Sequence, residues 1–383
     1  MIARIGRVSA ALFLGVSLTV GALGPAYAKD PVHFPKNPTG LTAPKRLPST
    51  VDPVPGYFPQ ISCHPVEMQG VRKLRQLVLD TYGVGGYGGI TRNCVYGGGS
   101  EHKEGRAWDW MVSVHNKKQR KAAGDFLSWL TEDGGLNARR LGVMYAIHNH
   151  KIWSSYRMGE GWRKYTGYDP HTSHIHLSFS WAGARGKTSF WTGKVGAVDY
   201  GSCRVFAGQP GVISTSTRRT PCASAVSSVK LSKRPTLYLG STNRTQVRKA
   251  QQKLGISRTG VFDERTWRAV KRYQKSHELP RTGAVDDATW GSLNPAKVTK
   301  DVSDGYSPER AARYGKRHYG HTTLKRHSAG KAVLLLQTAL RMPRSQRNGV
   351  YRKYTVRAVK RAQSGADLRR TGKVSKSLWK QLA

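Results

Sequence analysis

Hydrophobic and polar positions change period several times along the chain. From Val66 to Tyr82, the residues Val71, Leu74, Leu77 and Val78 recur at helical spacing and predict an amphipathic helix. Lys118 to Leu130 predicts a second helix, with Ala122, Phe126, Trp129 and Leu130 on one side. Val143–Ile147 and His174–Phe179 run apolar or alternate, which predicts strands. The first strand leads into His148-Asn149-His150-Lys151, and the second carries a histidine cluster. Two stretches show no period. Residues 29–55 hold seven prolines among polar residues, the composition of an extended linker. Ser202 to Pro235 is rich in Ser, Thr and Gly and predicts another linker.

Towards the C-terminus the pattern repeats. Val247, Leu254, Gly260-Val261-Phe262, Thr266, Ala269-Val270-Lys271, Gln274, Thr282-Gly283, Val285, Trp290 and Leu293 return as Val333, Leu340, Gly349-Val350-Tyr351, Thr355, Ala358-Val359-Lys360, Gln363, Thr371-Gly372, Val374, Trp379 and Leu382. The offset is 86 at the start and 89 from Gly260/Gly349 onward, so three residues are inserted between. Each unit predicts three helices: one around Val247–Leu254, one over Thr266–Lys275 and a short one ending at Trp290, with their counterparts. The repeat resembles the peptidoglycan-binding module of wall hydrolases, a small three-helix bundle. In the second copy Ala362 stands where the first has Tyr273, and no Gly follows Leu340. The resemblance therefore implies a kept fold there and a less certain ligand contact.

At the N-terminus, Arg4 and Arg7 precede an apolar run from Val8 to Gly24, and Ala26-Tyr27-Ala28 is an A-x-A cleavage site. This reads as a signal peptide, residues 1–28, and predicts a secreted, wall-associated protein with no transmembrane segment in the mature chain. An uncleaved anchor is the alternative. Export permits disulfides. Four cysteines allow three pairings, and closeness in sequence favours Cys63–Cys94 and Cys203–Cys222. None lies in a CxxC, which argues against a cysteine zinc site. The formal charge is +42, and residues 229–383 hold 36 Lys and Arg against 9 Asp and Glu, a net +27. Such a field attracts polyanions. Anionic wall polymers are one candidate partner; no recognised nucleic-acid motif accompanies the charge.

Two segments carry candidate chemistry: Ser100-Glu101-His102-Lys103-Glu104-Gly105-Arg106-Ala107-Trp108-Asp109-Trp110, and His171-Thr172-Ser173-His174-Ile175-His176. A catalytic zinc takes about three protein ligands from His, Asp or Glu and keeps one position open. His102 and Asp109 offer one neutral and one anionic ligand. Strand alternation puts His174 and His176 on one face. One of them can bind metal while the other meets water or substrate.

The full spelling, S-x-H-x-x-G-x-A-x-D-W followed by H-x-x-H-x-H, resembles the zinc D-Ala-D-Ala carboxypeptidase and murein endopeptidase superfamily, which includes lysostaphin-type enzymes. The resemblance covers about residues 56–195 and implies an α+β peptidase domain, an antiparallel sheet with flanking helices. It implies Zn2+ as cofactor, with His102, Asp109 and His176 as ligands. His174 would be the catalytic histidine beside the metal, and His171 the extra active-site histidine. Arg92 matches an arginine that relatives keep to hold a substrate carboxylate or oxyanion; a surface arginine is the plainer reading. One departure stands out: where many relatives carry a Glu base, this chain has Ser173. The base is then His174, His171 or Asp169, or the domain is inactive.

These readings give a layout of signal peptide 1–28, Pro-rich linker 29–55, peptidase-like domain 56–195, linker 196–236, module 237–294, linker 295–323 and module 324–383. The expected activity is zinc-dependent hydrolysis of D,D- or L,D-peptide bonds in peptidoglycan stem peptides, by a monomer targeted through two modules. The alternative is a non-catalytic wall-binding protein.

Overall fold

The computed structural model describes residues 33–205, 207–223, 234–293, 306–326, 328 and 330–383. The signal peptide expected at 1–28 lies outside the described residues, as do parts of the three expected linkers.

The N-terminal half is built on five antiparallel strands: β1 (Ala107–Trp110), β2 (Val143–His148), β3 (Lys151–Ser154), β4 (Arg163–Lys164) and β5 (Ile175–Phe179), in the order β1-β5-β2-β3-β4. Helix α1 (Gln69–Tyr82) and helix α2 (Lys117–Leu141) cover one face. Both helices were expected, and each ends on a left-handed glycine, Gly83 and Gly142. Helix α2 runs past the expected Leu130 but is broken at Glu132–Gly135, where Gly134 and Gly135 supply positive φ. Two one-turn helices follow β5: α3 (Trp181–Ala184) and α4 (Ser189–Thr192).

Period-two alternation divides the central strands. Trp108, Trp110, Ile175, Leu177 and Phe179 point into the core beneath the helices, with Phe126, Leu127, Leu74 and Val78. Asp109, His176 and Ser178 therefore take the other face. A buried ion pair braces this layer: Arg106 Nε donates to Glu104 at 2.7 Å, while its other nitrogens reach the carbonyls of Phe179 and Phe58.

The expected linkers are folded where they are described. Residues 33–55 form a strap without regular structure that lies against the domain. Leu41 enters the core, the N–H groups of Thr39 and Gly40 donate to Asp125, and Asp52 is buried and accepts from Ser189 N and Gly196 N. Proline makes the strap extended, but its apolar and acidic residues find partners on α2 and α4. Residues 196–205 and 207–223 form a second strap. Asp199 pairs with Arg185 at 2.9 Å, Gly211 N donates to Ile61 O, and Cys203–Cys222 closes the loop. Both expected disulfides are formed.

The C-terminal half is helical. Module 1 holds α5 (Arg244–Lys253), α6 (Glu264–Ser276) and α7 (Asp287–Leu293). Module 2 holds α9 (Lys331–Ala339), α10 (Lys353–Gly365) and α11 (Lys376–Leu382). It gains a further helix inside the expected 295–323 linker, α8 (Pro308–Tyr319), capped by Ser307 with Pro308 in the first turn. Helix α8 buries Ala311, Ala312 and Gly315 against α9 and α11. Each module is also internally duplicated. The amide of Gln251 binds Gly260 N and Thr266 Oγ1; Gln274 binds Gly283 N and Thr289 Oγ1 in the same way 23 residues later. Gln337 and Gln363 repeat the device in module 2, on Gly349 and Gly372.

Module 1 is wedged between its neighbours. The Trp267 ring stacks on His64 of the sheet domain at 4.2 Å and 8°. On its other side Glu278 pairs with Lys353 and Arg326 of module 2, and Leu279 and Ala288 pack on Val350.

Candidate metal and catalytic site

The pairing of β1 with β5 sets Asp109 directly opposite His176. His102 arrives from elsewhere, on the 3-10 turn Glu101–Glu104 just before β1. That turn ends at Gly105, with φ of +66°, where a Cβ would lie 1.8 Å from the Val66 carbonyl oxygen. Only glycine lets the turn seat there. Gly88 is held as tightly: a Cβ would meet the Asp109 carbonyl oxygen at 1.4 Å. The loop it belongs to crosses the site's edge, with Asp109 N donating to Gly89 O and Arg92 N to His102 O.

Three donor atoms converge. His102 Nε2 is 3.2 Å from Asp109 Oδ1 and 3.3 Å from His176 Nδ1, and His176 Nδ1 is 2.8 Å from Asp109 Oδ1. A tetrahedron with metal–ligand arms of about 2.0–2.1 Å has edges of about 3.3 Å. The separations thus suit one small divalent ion. The far side of each ring is also engaged. His102 Nδ1 donates to Ile90 O at 3.2 Å, leaving Nε2 as the free lone pair. His176 Nε2 bonds Ser178 Oγ at 2.9 Å, leaving Nδ1 to the site. Ser178 Oγ in turn donates to Glu101 at 3.3 Å, and Glu101 also accepts from Tyr145 at 2.7 Å. Carboxylate–hydroxyl–imidazole chains of this kind orient metal ligands.

Burial pushes the Asp109 carboxyl up, but the His102 and His176 rings beside it outweigh that and hold the group well below the usual carboxylate range. A carboxylate ionised between two imidazoles is a concentrated negative charge facing a cation-sized gap.

The remaining expected site residues separate. His174 stands beside the triad, its Nε2 3.8 Å from Asp109 Oδ1 and its Nδ1 3.0 Å from Ser173 Oγ. Burial lowers its pKa, so the ring is neutral near pH 7. His171 packs on His174 with ring centres 4.7 Å apart, and lies 5.8 Å from His176. Burial first, and the His176 charge next, push it down to about 4. Its φ is +55°, rare for a residue with a side chain. The strain is held by the Asn149-His150 turn, whose N–H groups donate to His171 O and Pro170 O. Asp169, His171 and His174 form a second grouping with metal-ligand spacing, although Asp169 is exposed. Arg92 is different. Its guanidinium is exposed and makes no hydrogen bond or ion pair among the described residues, and its charge lowers the pKa of Lys103 after burial does.

Sequence reasoning missed the supporting residues. Glu101 lies inside the first motif, and Ser178 is two residues past His176 on the same strand face, so period two could have flagged it. His148 is buried, and its Nδ1 donates to His174 O at 2.9 Å, which anchors that strand end. The aromatic residues between His150 and His171 divide. Trp153 is core, Trp162 packs on Phe34, Tyr165 meets His171 edge-on at 5.3 Å, and Tyr168 is exposed.

Comparison with known families adds two matches. Residues 66–176 match the family described as VldE, C-terminal domain, a span that contains Arg92, His102, Asp109, His171, His174 and His176. Residues 258–293, in module 1, match the putative peptidoglycan binding domain, which supports cell-wall targeting. Neither span reaches half the chain. No curated protein and no solved structure matches. Among the described residues no helix is long and apolar enough to cross a membrane.

Proposed function

We propose that this chain is an exported zinc peptidase that hydrolyses peptide bonds of peptidoglycan stem peptides while its C-terminal half holds it to the wall. The observation that carries the reading is the convergence of His102 Nε2, Asp109 Oδ1 and His176 Nδ1 within 3.3 Å of one another, each imidazole braced from behind. The donor set, two imidazoles and one carboxylate, is one that zinc favours. Zinc bound there would polarise the scissile carbonyl and lower the pKa of water. The two disulfides and the peptidoglycan-binding match support an extracellular, wall-associated setting.

The protein's own groups then have distinct tasks. His174 is neutral, within 3.8 Å of the Asp109 carboxylate, and can take a proton from attacking water and return it to the leaving amine. Ser173, standing where many relatives carry a Glu, lies 3.0 Å from His174 Nδ1, so Nε2 is the nitrogen that faces the Asp109 carboxylate. His171 walls the same side and limits how the His174 ring can turn. Asp109 stays ionised and neutralises part of any cation's charge.

The missing Glu favours a second reading, a wall-binding protein with a silent peptidase fold. One experiment separates the two. Purified sacculi are incubated with zinc-loaded protein and the soluble fragments identified by mass. Release that stops with chelator, and in His102→Ala and Asp109→Ala, supports the enzyme. Loss of a terminal D-Ala indicates a carboxypeptidase, and conversion of dimeric to monomeric muropeptides an endopeptidase. Sacculus binding with no product at any zinc level refutes it.

A further inference from the structure

The two modules share a fold but not a surface. With the 89-residue offset, Asp287, Ala288, Gly291 and Ser292 on α7 correspond to Lys376, Ser377, Lys380 and Gln381 on α11. Every residue of α7 is buried, because module 1 sits between the sheet domain and module 2. On α11 those four positions are exposed. The same contrast holds on the middle helix. Trp267 of α6, with Lys271 4.0 Å above its ring, is spent on His64 of the sheet domain. Of its counterparts on α10, Val356 packs on module 2's own core and Lys360 is exposed.

The charges diverge in step. Residues 237–294 hold 11 Lys and Arg against 5 Asp and Glu, a net +6; residues 324–383 hold 16 against 1, a net +15. Seven of the sixteen lie on α10 or on the turn that follows it. Lys360 lies across Gly372, whose added Cβ would meet its Cε at 3.2 Å. Arg357 and Arg361 flank Lys360 on α10, and Arg370 and Lys373 border Gly372 on the turn. All five are exposed, and none makes a side-chain hydrogen bond or ion pair among the described residues. Soluble surfaces ordinarily mix both signs. Neighbouring cations that outnumber their counter-charges, here the single exposed Asp367, repel one another and gain most from a partner that brings its own row of negative charges.

We propose that this face of module 2, formed by α10 and the turn at 369–373, binds a phosphodiester-linked wall polymer. A flexible polyphosphodiester presents charge without bases, and the face is built to match. The aromatic positions Trp267 and Tyr273 of module 1 are replaced by Val356 and Ala362, which leaves Tyr354 as the exposed ring of α10. Single-stranded nucleic acid is usually held on successive aromatic platforms, and one ring does not make such a surface. The inference stands on charge and exposure and is independent of the zinc site.

The test uses the whole mature chain and fluorescently labelled poly(glycerol phosphate), with binding read by anisotropy across a salt series. Four phosphate contacts predict a loss of about 50-fold in affinity between about 50 and 200 mM salt. The variant Arg357→Gln/Lys360→Gln/Arg370→Gln/Lys373→Gln should bind at least about 10-fold more weakly at low salt, with a flatter salt slope. All four positions are exposed, and an unchanged melting temperature confirms the fold. A control with the same number of changes on module 1, Arg244→Gln/Arg248→Gln/Lys249→Gln/Lys253→Gln, should stay within about twofold. Equal losses in the two variants would mean that net charge alone is at work, and would overturn the proposal. So would binding of a DNA oligonucleotide, matched in charge, that is as tight as the polymer and as sensitive to the module 2 changes.

Discussion

Replacing Ser178 by Ala tests the proposed metal site without touching a proposed ligand. Ser178 Oγ is fully buried, 2.9 Å from His176 Nε2 and 3.3 Å from the Glu101 carboxylate. Removing it leaves Nε2 without a partner on strand β5 and cuts the link to Glu101 and Tyr145. The ring is then free to turn, and Nδ1 is no longer aimed at the 2.8–3.3 Å triangle shared with Asp109 and His102. Losing such an outer partner typically weakens metal binding about 10–100-fold, or about 1.4–2.7 kcal/mol. A buried serine hydrogen bond contributes only about 1 kcal/mol to folding, so the metal-free protein should still fold. Zinc affinity is measured by competition with a chelator of known strength, and Co2+ absorption reports the ligand geometry independently of turnover. Glu101→Gln should act in the same direction with a smaller effect, because the amide oxygen can still accept from Tyr145 and Ser178. Zinc affinity within twofold of the parent in Ser178→Ala would refute the reasoning, since His176 would then not be a ligand held from behind.

Three further outcomes are expected. Arg106→Met strands the buried Glu104 carboxylate and should cost about 3–5 kcal/mol in urea unfolding, with Arg106→Met/Glu104→Met recovering part of the loss. His148 is held neutral by burial, with its pKa pushed down to about 4 from about 6.5. The unfolded chain gains that proton first, so stability is complete above about pH 6.5 and falls by about 3 kcal/mol as pH drops towards 4. A His148→Gln variant should lose that part of the slope in denaturant titrations at pH 7 and 4.5. Trp267→Val, the residue module 2 carries at the matching position, removes the stack on His64 and should raise the radius of gyration in small-angle scattering while each part keeps its helical content.

Much of the site was legible before folding because its signals are local. His174 and His176 share a face by strand period alone, and the loop geometry of Gly105 is written next to His102. The short loops spanned by Cys63–Cys94 and Cys203–Cys222 made their pairing the simplest of three. The linkers misled for the opposite reason. Residues 33–55 and 196–223 have no period and many turn formers, so nothing local marks them as packed. Their order comes from distant partners: Asp125 for Thr39 and Gly40, Ser189 for Asp52, and Arg185 for Asp199. Helix α8 was missed because its buried face is Ala311, Ala312 and Gly315, residues too small to stand out as an apolar stripe until Trp379 lies across them.

By itself, then, the order of residues determined helices α1 and α2, strands β2 and β5, the repeated helical modules and the list of groups able to ligate a metal, since each depends on spacing along one short stretch. Folding decided what spacing cannot carry. It brought Asp109 opposite His176 across a strand pair, and it set Glu101 behind Ser178. It buried α7 while leaving α11 open, though the two are copies. Which polar group is braced and which surface stays free is a property of neighbours tens of residues away, and only their packing creates it.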